Sequence, residues 1–426
     1  MSRLIGIRHR IKFTKDGEAV PTQIAIWENG QFIVYELSDE TSELDWVLGK
    51  HPVSFKDVEP DEDLEQYPEH HVVTKGKKTK VPAEYDGLKR GDTVLMVMGG
   101  SGDYLANAIS RQCDKIKANI IRVTPDDLKQ FRGEDKSQDA RVLIDLFQKN
   151  PLVFVPVTPR DQDMMKLAIL YHDFMDIMKE RIACGQRVDQ RTIGRIFCSE
   201  SGGYPEGGIK KQAEAAKANS KVHEALVREE TEAEKAMLNQ LKTMPIWTDL
   251  LSKVEGLGPR IGARLIVAIY TIHRFKDSTR PDGKITEGKA KLKSYCCACP
   301  GEDGELRRKR SGEVANWSND AKLALYLLTD QFNRRPNSVW GEKLLEIKAQ
   351  QKMSHPVVVC KTCSHDGQEV PFTPECEKKK HKRKYNDGHL LKRARQRAGT
   401  KFVEWLYKEW NRLERDENCQ GLKQVA

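Results

Sequence analysis

The chain has 426 residues, with 72 lysines and arginines against 63 aspartates and glutamates, a formal net charge of +9. That length suits two to three domains with real cores, and the excess of positive charge points to a polyanionic partner. No apolar run is long enough to span a bilayer and the N-terminus lacks a signal-peptide core, so a soluble intracellular protein is expected, cytoplasmic or nucleoid-associated, with no membrane partner.

Residues 1–158 read as an α/β domain. Extended runs at 3–13, 22–28 and 31–37 come first, and Asn29-Gly30 between the last two is a strong hairpin signal. A polar stretch at roughly 54–90, acidic and then lysine-rich, reads as a loop or weakly ordered insertion. There follow a strand at 93–98, a glycine turn at 99–102, a helix at 104–115, a strand at 119–123, a helix at 139–147 and an apolar run at 152–157. Three meandering strands and then alternating helices and strands are the order of an RNase-H-like fold.

Residues 159–245 are helical and highly charged. Met164, Met165, Leu167, Leu170, Phe174, Ile177 and Met178 recur at helical spacing, and a glycine-rich break at 201–208 separates them from an Ala-, Glu- and Lys-rich run at 210–244. Two long helices about such a break suggest a coiled-coil arm supporting a homo-oligomer, a dimer or a tetramer. Helices packed on the body of the protein are the alternative.

Residues 246–426 open on a segment that reads as a helix-hairpin-helix. An amphipathic stretch at 247–254 ends at Gly256-Leu257-Gly258, and an apolar helix at 261–270 begins at once. Gly256 and Gly258 permit a tight turn that brings bare N–H groups up to a phosphate. The helix N-terminus adds its dipole, and Arg260 and Arg264 add charge. Such a hairpin grips a nucleic-acid backbone without reading bases; a plain corner between two helices is the alternative.

The 10 cysteines do not suggest a disulfide scaffold in so long a chain, and clustered ones suggest metal. Cys360, Cys363, Cys376 and His381 form Cys-x2-Cys-x12-Cys-x4-His within an insertion at about 355–385. Four such ligands close a tetrahedral zinc site, which suits structural zinc rather than catalysis, and the polar segment they enclose could hardly fold without the metal. His365 is the rival fourth ligand. Lys380, Lys382, Arg383 and Lys384 lie in the basic run 378–384, and Lys392, Arg393, Arg395 and Arg397 follow on a helix. Together they read as a phosphate-binding surface, a solvated basic face being the alternative. Cys296, Cys297 and Cys299 suit zinc poorly, because adjacent cysteines rarely point at one ion, and are expected to be small buried side chains.

The arrangement resembles the DEDD-type insertion-sequence transposases, the bridge-RNA-guided recombinases of the "one-ten" insertion-sequence family. Gly99-Gly100-Ser101-Gly102-Asp103-Tyr104 stands where that family has Glu-Ala-Thr-Gly-x-Tyr, and Asp139-Ala140-Arg141-Val142-Leu143 is similar to its second Asp-Ala-Arg-x-Leu. The run 256–268 is similar to its hairpin, 292–300 with 318–327 to its serine-bearing segment, and 389–410 to its terminal helix. The resemblance covers most of the chain outside 54–90, the helical arm and the zinc insertion. It implies a fold of α/β plus α: a RuvC/RNase-H-like domain, a coiled-coil region and a C-terminal helix-hairpin-helix transposase-like domain with a zinc-knuckle insertion. It also implies DNA and a structured guide RNA as partners, a serine nucleophile, and magnesium if the RuvC-like centre is active.

Several positions depart from that pattern. A RuvC-like centre holds divalent cations with carboxylates on the first strand, the fourth strand and a late helix. Here Arg8 stands where the family has Asp and Gly99 where it has Glu, while Lys136 falls at one late aspartate and Asp139 is kept. Asp103 and Asp135 are candidate replacements. Glu305 lies nearest the expected serine, and the closest Ser-Gly is Ser311-Gly312, beside Arg307, Arg308 and Arg310, which would neutralise a phosphodiester under attack. The expectation is a transposase-family protein that binds DNA and structured RNA through a degenerate, inactive scaffold. The alternative is an active RNA-guided recombinase in which Ser311 attacks DNA and Asp103, Asp135 and Asp139 gather a metal. A zinc-stabilised structural RNA-binding protein of unrelated origin is a third reading.

Overall fold

Ile5 and Ile7 on one strand and Ile24, Ala25 and Ile26 on the next are all buried, as in a sheet covered on both faces. The computed structural model of the chain describes residues 3–10, 19–59, 62–76, 78–99, 102–133, 135–200, 203–279, 283–299, 317–364 and 368–425. The chain divides into two compact units, Met1–Met165 and Lys166–Ala426. The helical region therefore belongs to one unit with the hairpin and zinc segments, and the first unit runs a little beyond residue 158. The protein is mixed α/β, and among the described residues no helix is long and apolar enough to cross a membrane.

In the first unit β1 (Leu4–Arg8), β2 (Thr22–Glu28) and β3 (Gln31–Leu37) form an antiparallel meander. Asn29 at φ 51° and Gly30 at φ 84° make the β2–β3 turn with the two positive angles such a hairpin needs. Next come α1 (Glu40–Val47), β4 (His51–Asp57), β5 (Val73–Lys75) and β6 (Lys78–Asp86). The polar stretch is thus a three-stranded antiparallel sheet, ordered β4-β6-β5, and not a loop. It carries little apolar alternation because it buries little: Val81 and Pro82 are its buried strand residues.

The chain then returns to the main sheet through β7 (Thr93–Val97), α2 (Asp103–Ile116), β8 (Asn119–Val123), α3 (Pro125–Arg132), α4 (Asp139–Lys149) and β9 (Val155–Pro156). The sheet order is β3-β2-β1-β7-β8-β9, with β1, β7 and β8 parallel and β9 antiparallel at the edge. A Cβ on Gly6 would lie 1.9 Å from the Ala140 carbonyl oxygen, so glycine there lets α4 sit directly on β1. This sets the head of α4, with Asp139, beside the strand that carries Arg8.

The long helix α5 (Pro159–Phe197) begins in the last residues of the first unit and makes up the first helix of the second. The charged run after the glycine break is two helices, α6 (Gly208–Ala218) and α7 (Lys221–Lys242), because Ser220 caps α7 by accepting from the His223 N–H at 3.3 Å. Leu167 and Phe174 are buried within the protomer, and Arg181 of α5 pairs with Glu230 of α7. The long helices on either side of the glycine break are thus joined to each other.

The remaining helices are α8 (Pro259–Ile269), α9 (Gly288–Tyr295), α10 (Asn319–Arg334), α11 (Val339–Ser354), α12 (Pro374–Lys378) and α13 (Asp387–Val425). In α13 the buried residues Leu390, Ala394, Ala398, Phe402, Val403, Leu406 and Trp410 recur at three- and four-residue spacing. Phe402 stacks edge-on against Trp340 at 5.3 Å, so the basic terminal helix is also a core helix of this unit.

Candidate metal centre and nucleic-acid interface

The short strand Val359–Cys360 pairs antiparallel with Arg383–Lys384, which brings the two ends of the cysteine segment together. Thr373 caps α12 and sets Cys376 in its first turn, and Lys380 at φ 52° turns the chain so that His381 follows onto the same side. Cys363 Sγ lies 3.9 Å from Cys376 Sγ and 3.2 Å from His381 Nδ1, and Cys360 Sγ is 3.5 Å from that nitrogen. Bonds of about 2.3 Å to sulfur and about 2.0 Å to nitrogen in a tetrahedron put neighbouring ligand atoms roughly 3.5–3.8 Å apart. The four residues can therefore hold a metal ion such as zinc. Hydrogen bonds from Thr373 hold the Cys376 thiol down at about 6, towards the thiolate a metal requires. Cys363, hydrogen-bonded to Cys360 and pressed by a second sulfur, is pushed up to about 11. His365, the rival ligand, lies outside the described residues, and His381 takes the fourth place.

The basic run divides by role. Arg383 pairs with Glu377 and lies 4.7 Å over Phe372, and Lys384 pairs with Glu369 at 3.0 Å. Arg393 sits 5.4 Å over Tyr385, whose ring also stacks on His355. Arg395 donates to the Tyr326 carbonyl at 2.8 Å and pairs with Asp330. Arg383 and Lys384 thus brace the module internally, Arg393 packs α13 against its end, and Arg395 joins α13 to α10. Lys378, Lys379, Lys380, Lys382, Lys392 and Arg397 are exposed. Cys296 and Cys297 are buried and Cys299 is partly so, as their small size suggested.

The hairpin has helical turns on both sides of its glycines. The stretch before it is a π turn, Ile246–Leu250, and a 3-10 turn, Leu251–Lys253, with Gly256 at φ 89° and Gly258 as the uncapped N-cap of α8. Its two arginines are both engaged by protein partners, Arg260 in a half-exposed ion pair and Arg264 in a largely buried contact. Arg260 is held by both oxygens of Glu234 at 2.5 and 2.6 Å and lies over Phe174. Arg264 is only 12% exposed, donates to the Tyr171 hydroxyl at 2.6 Å and touches the Met175 sulfur. The anchors on α5 and α7 are long-range, so the local sequence could not reveal them. Gly262 serves packing too: a Cβ there would overlap the Trp247 ring at 2.4 Å.

At the end of the main sheet Asp103 and Asp139 each have an arginine of their own. Asp103 accepts from Arg122, which also donates to the Val97 carbonyl, and from the Gly99 N–H at 3.1 Å. Asp139 is bound by Arg132 at 2.7 and 2.8 Å. Asp135 is held below the usual carboxylate range by the Ser137 N–H and hydroxyl, with Arg132 and Arg8 adding to the effect. Among the described residues, the groups whose ligand atoms converge closely enough for one ion are the Cys360 cluster and Asp45 with His70 and His71. The gathering of Asp103, Asp135 and Asp139 that the active-recombinase alternative requires is in neither, because salt bridges draw two of the three to different arginines. Arg122 escaped the sequence reading, although a lone charge amid Ile-Ile-Arg-Val was a signal that it had a buried partner. Ser311, Arg307, Arg308 and Arg310 lie outside the described residues.

No protein-family model matches the chain, and no curated protein matches it at a significant level.

Proposed function

We propose that this chain is a nucleic-acid-binding protein of the insertion-sequence transposase type, with a structural zinc module and an RNase-H-like domain that has lost its metal chemistry. The observation that carries the reading is the exposed run Lys378, Lys379, Lys380 and Lys382 on a module built around four metal-ligand residues. A small rigid module that presents closely spaced ammonium groups suits the regular charge of a phosphate backbone. DNA and a structured RNA both fit that chemistry, since the contacts are to phosphate. The sheet order β3-β2-β1-β7-β8 supports the RNase-H-like assignment. A divalent cation at its carboxyl edge would meet Arg8 and would have to displace Arg122 from Asp103 and Arg132 from Asp139. Binding without cleavage is what those residues favour.

The test is to sequence the nucleic acid that co-purifies and to measure its affinity against salt. Replacing Lys378, Lys379, Lys380 and Lys382 with glutamine should lower the slope of log affinity on log salt by up to about 3.6, at about 0.9 per lost phosphate contact on duplex DNA. An unchanged slope, or no bound nucleic acid at low salt, overturns the reading.

A further inference from the structure

The turn Glu69–His71, within the polar stretch, carries two imidazoles to one carboxylate on α1. His70 Nε2 lies 3.0 and 3.2 Å from the two oxygens of Asp45, and His71 Nε2 lies 2.8 Å from one of them. Asp45 and His71 are buried, while His70 is 46% exposed at the rim. Ligands about 2.0–2.2 Å from an ion, at angles between square and tetrahedral, stand roughly 2.8–3.6 Å apart. The observed separations fall at the short end of that range, so an ion entering between these atoms needs only small side-chain movements. The far nitrogen of His71 faces the Tyr85 hydroxyl at 3.5 Å, the outer contact that orients a ligating imidazole. Beside them His51 has a buried Nδ1 with no hydrogen-bond partner among the described residues.

We propose that Asp45, His70 and His71 form a second metal site, separate from the cysteine cluster, for a divalent transition ion of the zinc type. Two imidazoles and one carboxylate are borderline ligands; they favour zinc and its neighbours over magnesium or calcium, which prefer all-oxygen cages. Three protein ligands leave a coordination position open. The ion ties α1 to the turn that leads into β5, and so closes a small sheet that has little core of its own.

The test uses the full chain, stripped with chelator, dialysed and back-titrated with zinc. Wild type should take two zinc ions and His70→Gln one, with affinity at the lost site down by more than about 100-fold, at or beyond the upper end of what loss of an outer-shell contact costs. His70 is exposed enough for that variant to fold, and its thermal unfolding in chelator should match wild type. Cobalt identifies which site fills: the cysteine cluster gives intense thiolate-to-metal absorption, whereas the ion at Asp45 gives only weak bands that vanish in His70→Gln. One zinc in wild type, or two in His70→Gln, overturns the proposal. Neither result touches the nucleic-acid reading, which rests on the lysines of the other unit.

Discussion

Replacing Arg264 with methionine keeps the aliphatic stem and removes the guanidinium. The structure makes this a change in stability and not in binding. The guanidinium donates to the hydroxyl of Tyr171, itself 3% exposed, and a buried hydrogen bond to a charged group contributes about 1.5–3 kcal/mol. The second partner, Asp320 at 3.9 Å, is 61% exposed, and such a pair contributes under about 1 kcal/mol. Because methionine retains most of the stem packing, the net loss is about 2 kcal/mol, which lowers the midpoint of thermal unfolding by roughly 4–8 °C in a unit of this size. Affinity for nucleic acid, measured well below that midpoint at fixed salt, should stay within about threefold of wild type. The slope on log salt should be unchanged, whereas loss of a real phosphate contact reduces it by about 1. An unchanged midpoint together with a slope reduced by that amount would show that Arg264 grips the backbone, and the packing assignment would fall.

Cys363→Ala should remove one zinc by elemental analysis after dialysis and expose the segment 361–382 to limited proteolysis; full zinc retention would move the site elsewhere. On any DNA the protein binds, magnesium and manganese should support neither cleavage nor strand exchange, because Arg122 and Arg132 occupy Asp103 and Asp139. A covalent protein–DNA adduct that disappears in Ser311→Ala would reverse that conclusion. Glu43 offers a pH test: burial pushes its carboxyl up, but hydrogen bonds from His9 and Thr22 and the charge of Arg10 together hold it below the usual range. A depressed folded value adds stability above the unfolded pKa of about 4.3, and that stability is lost as pH falls through the folded value. Glu43→Gln should therefore be less stable than wild type at pH 7, with a gap that narrows in urea melts below about pH 4; a constant gap would contradict it.

What could be read along the chain is what short-range chemistry dictates. Asn29-Gly30 names its hairpin because only certain residues accept two positive φ angles. The Cys-x2-Cys-x12-Cys-x4-His spacing names its ligands because zinc geometry is narrow, and the four atoms do converge. The strands at 93–98 and 119–123 and the helices at 104–115 and 139–147 declare themselves by apolar period. The stretch 54–90 does not, since a sheet that buries little besides Val81 and Pro82 leaves no alternation to read. Charge is where local reading fails most. An arginine beside a glycine turn looks the same in sequence whether it stands free for a phosphate or, like Arg260 and Arg264, also engages a glutamate or a tyrosine brought in by other helices. The partners Glu234 and Tyr171 lie 26 and 93 residues away. Only the folded chain decides which countercharge is nearer, because Coulomb and hydrogen-bond energies depend on distance in space and not along the sequence.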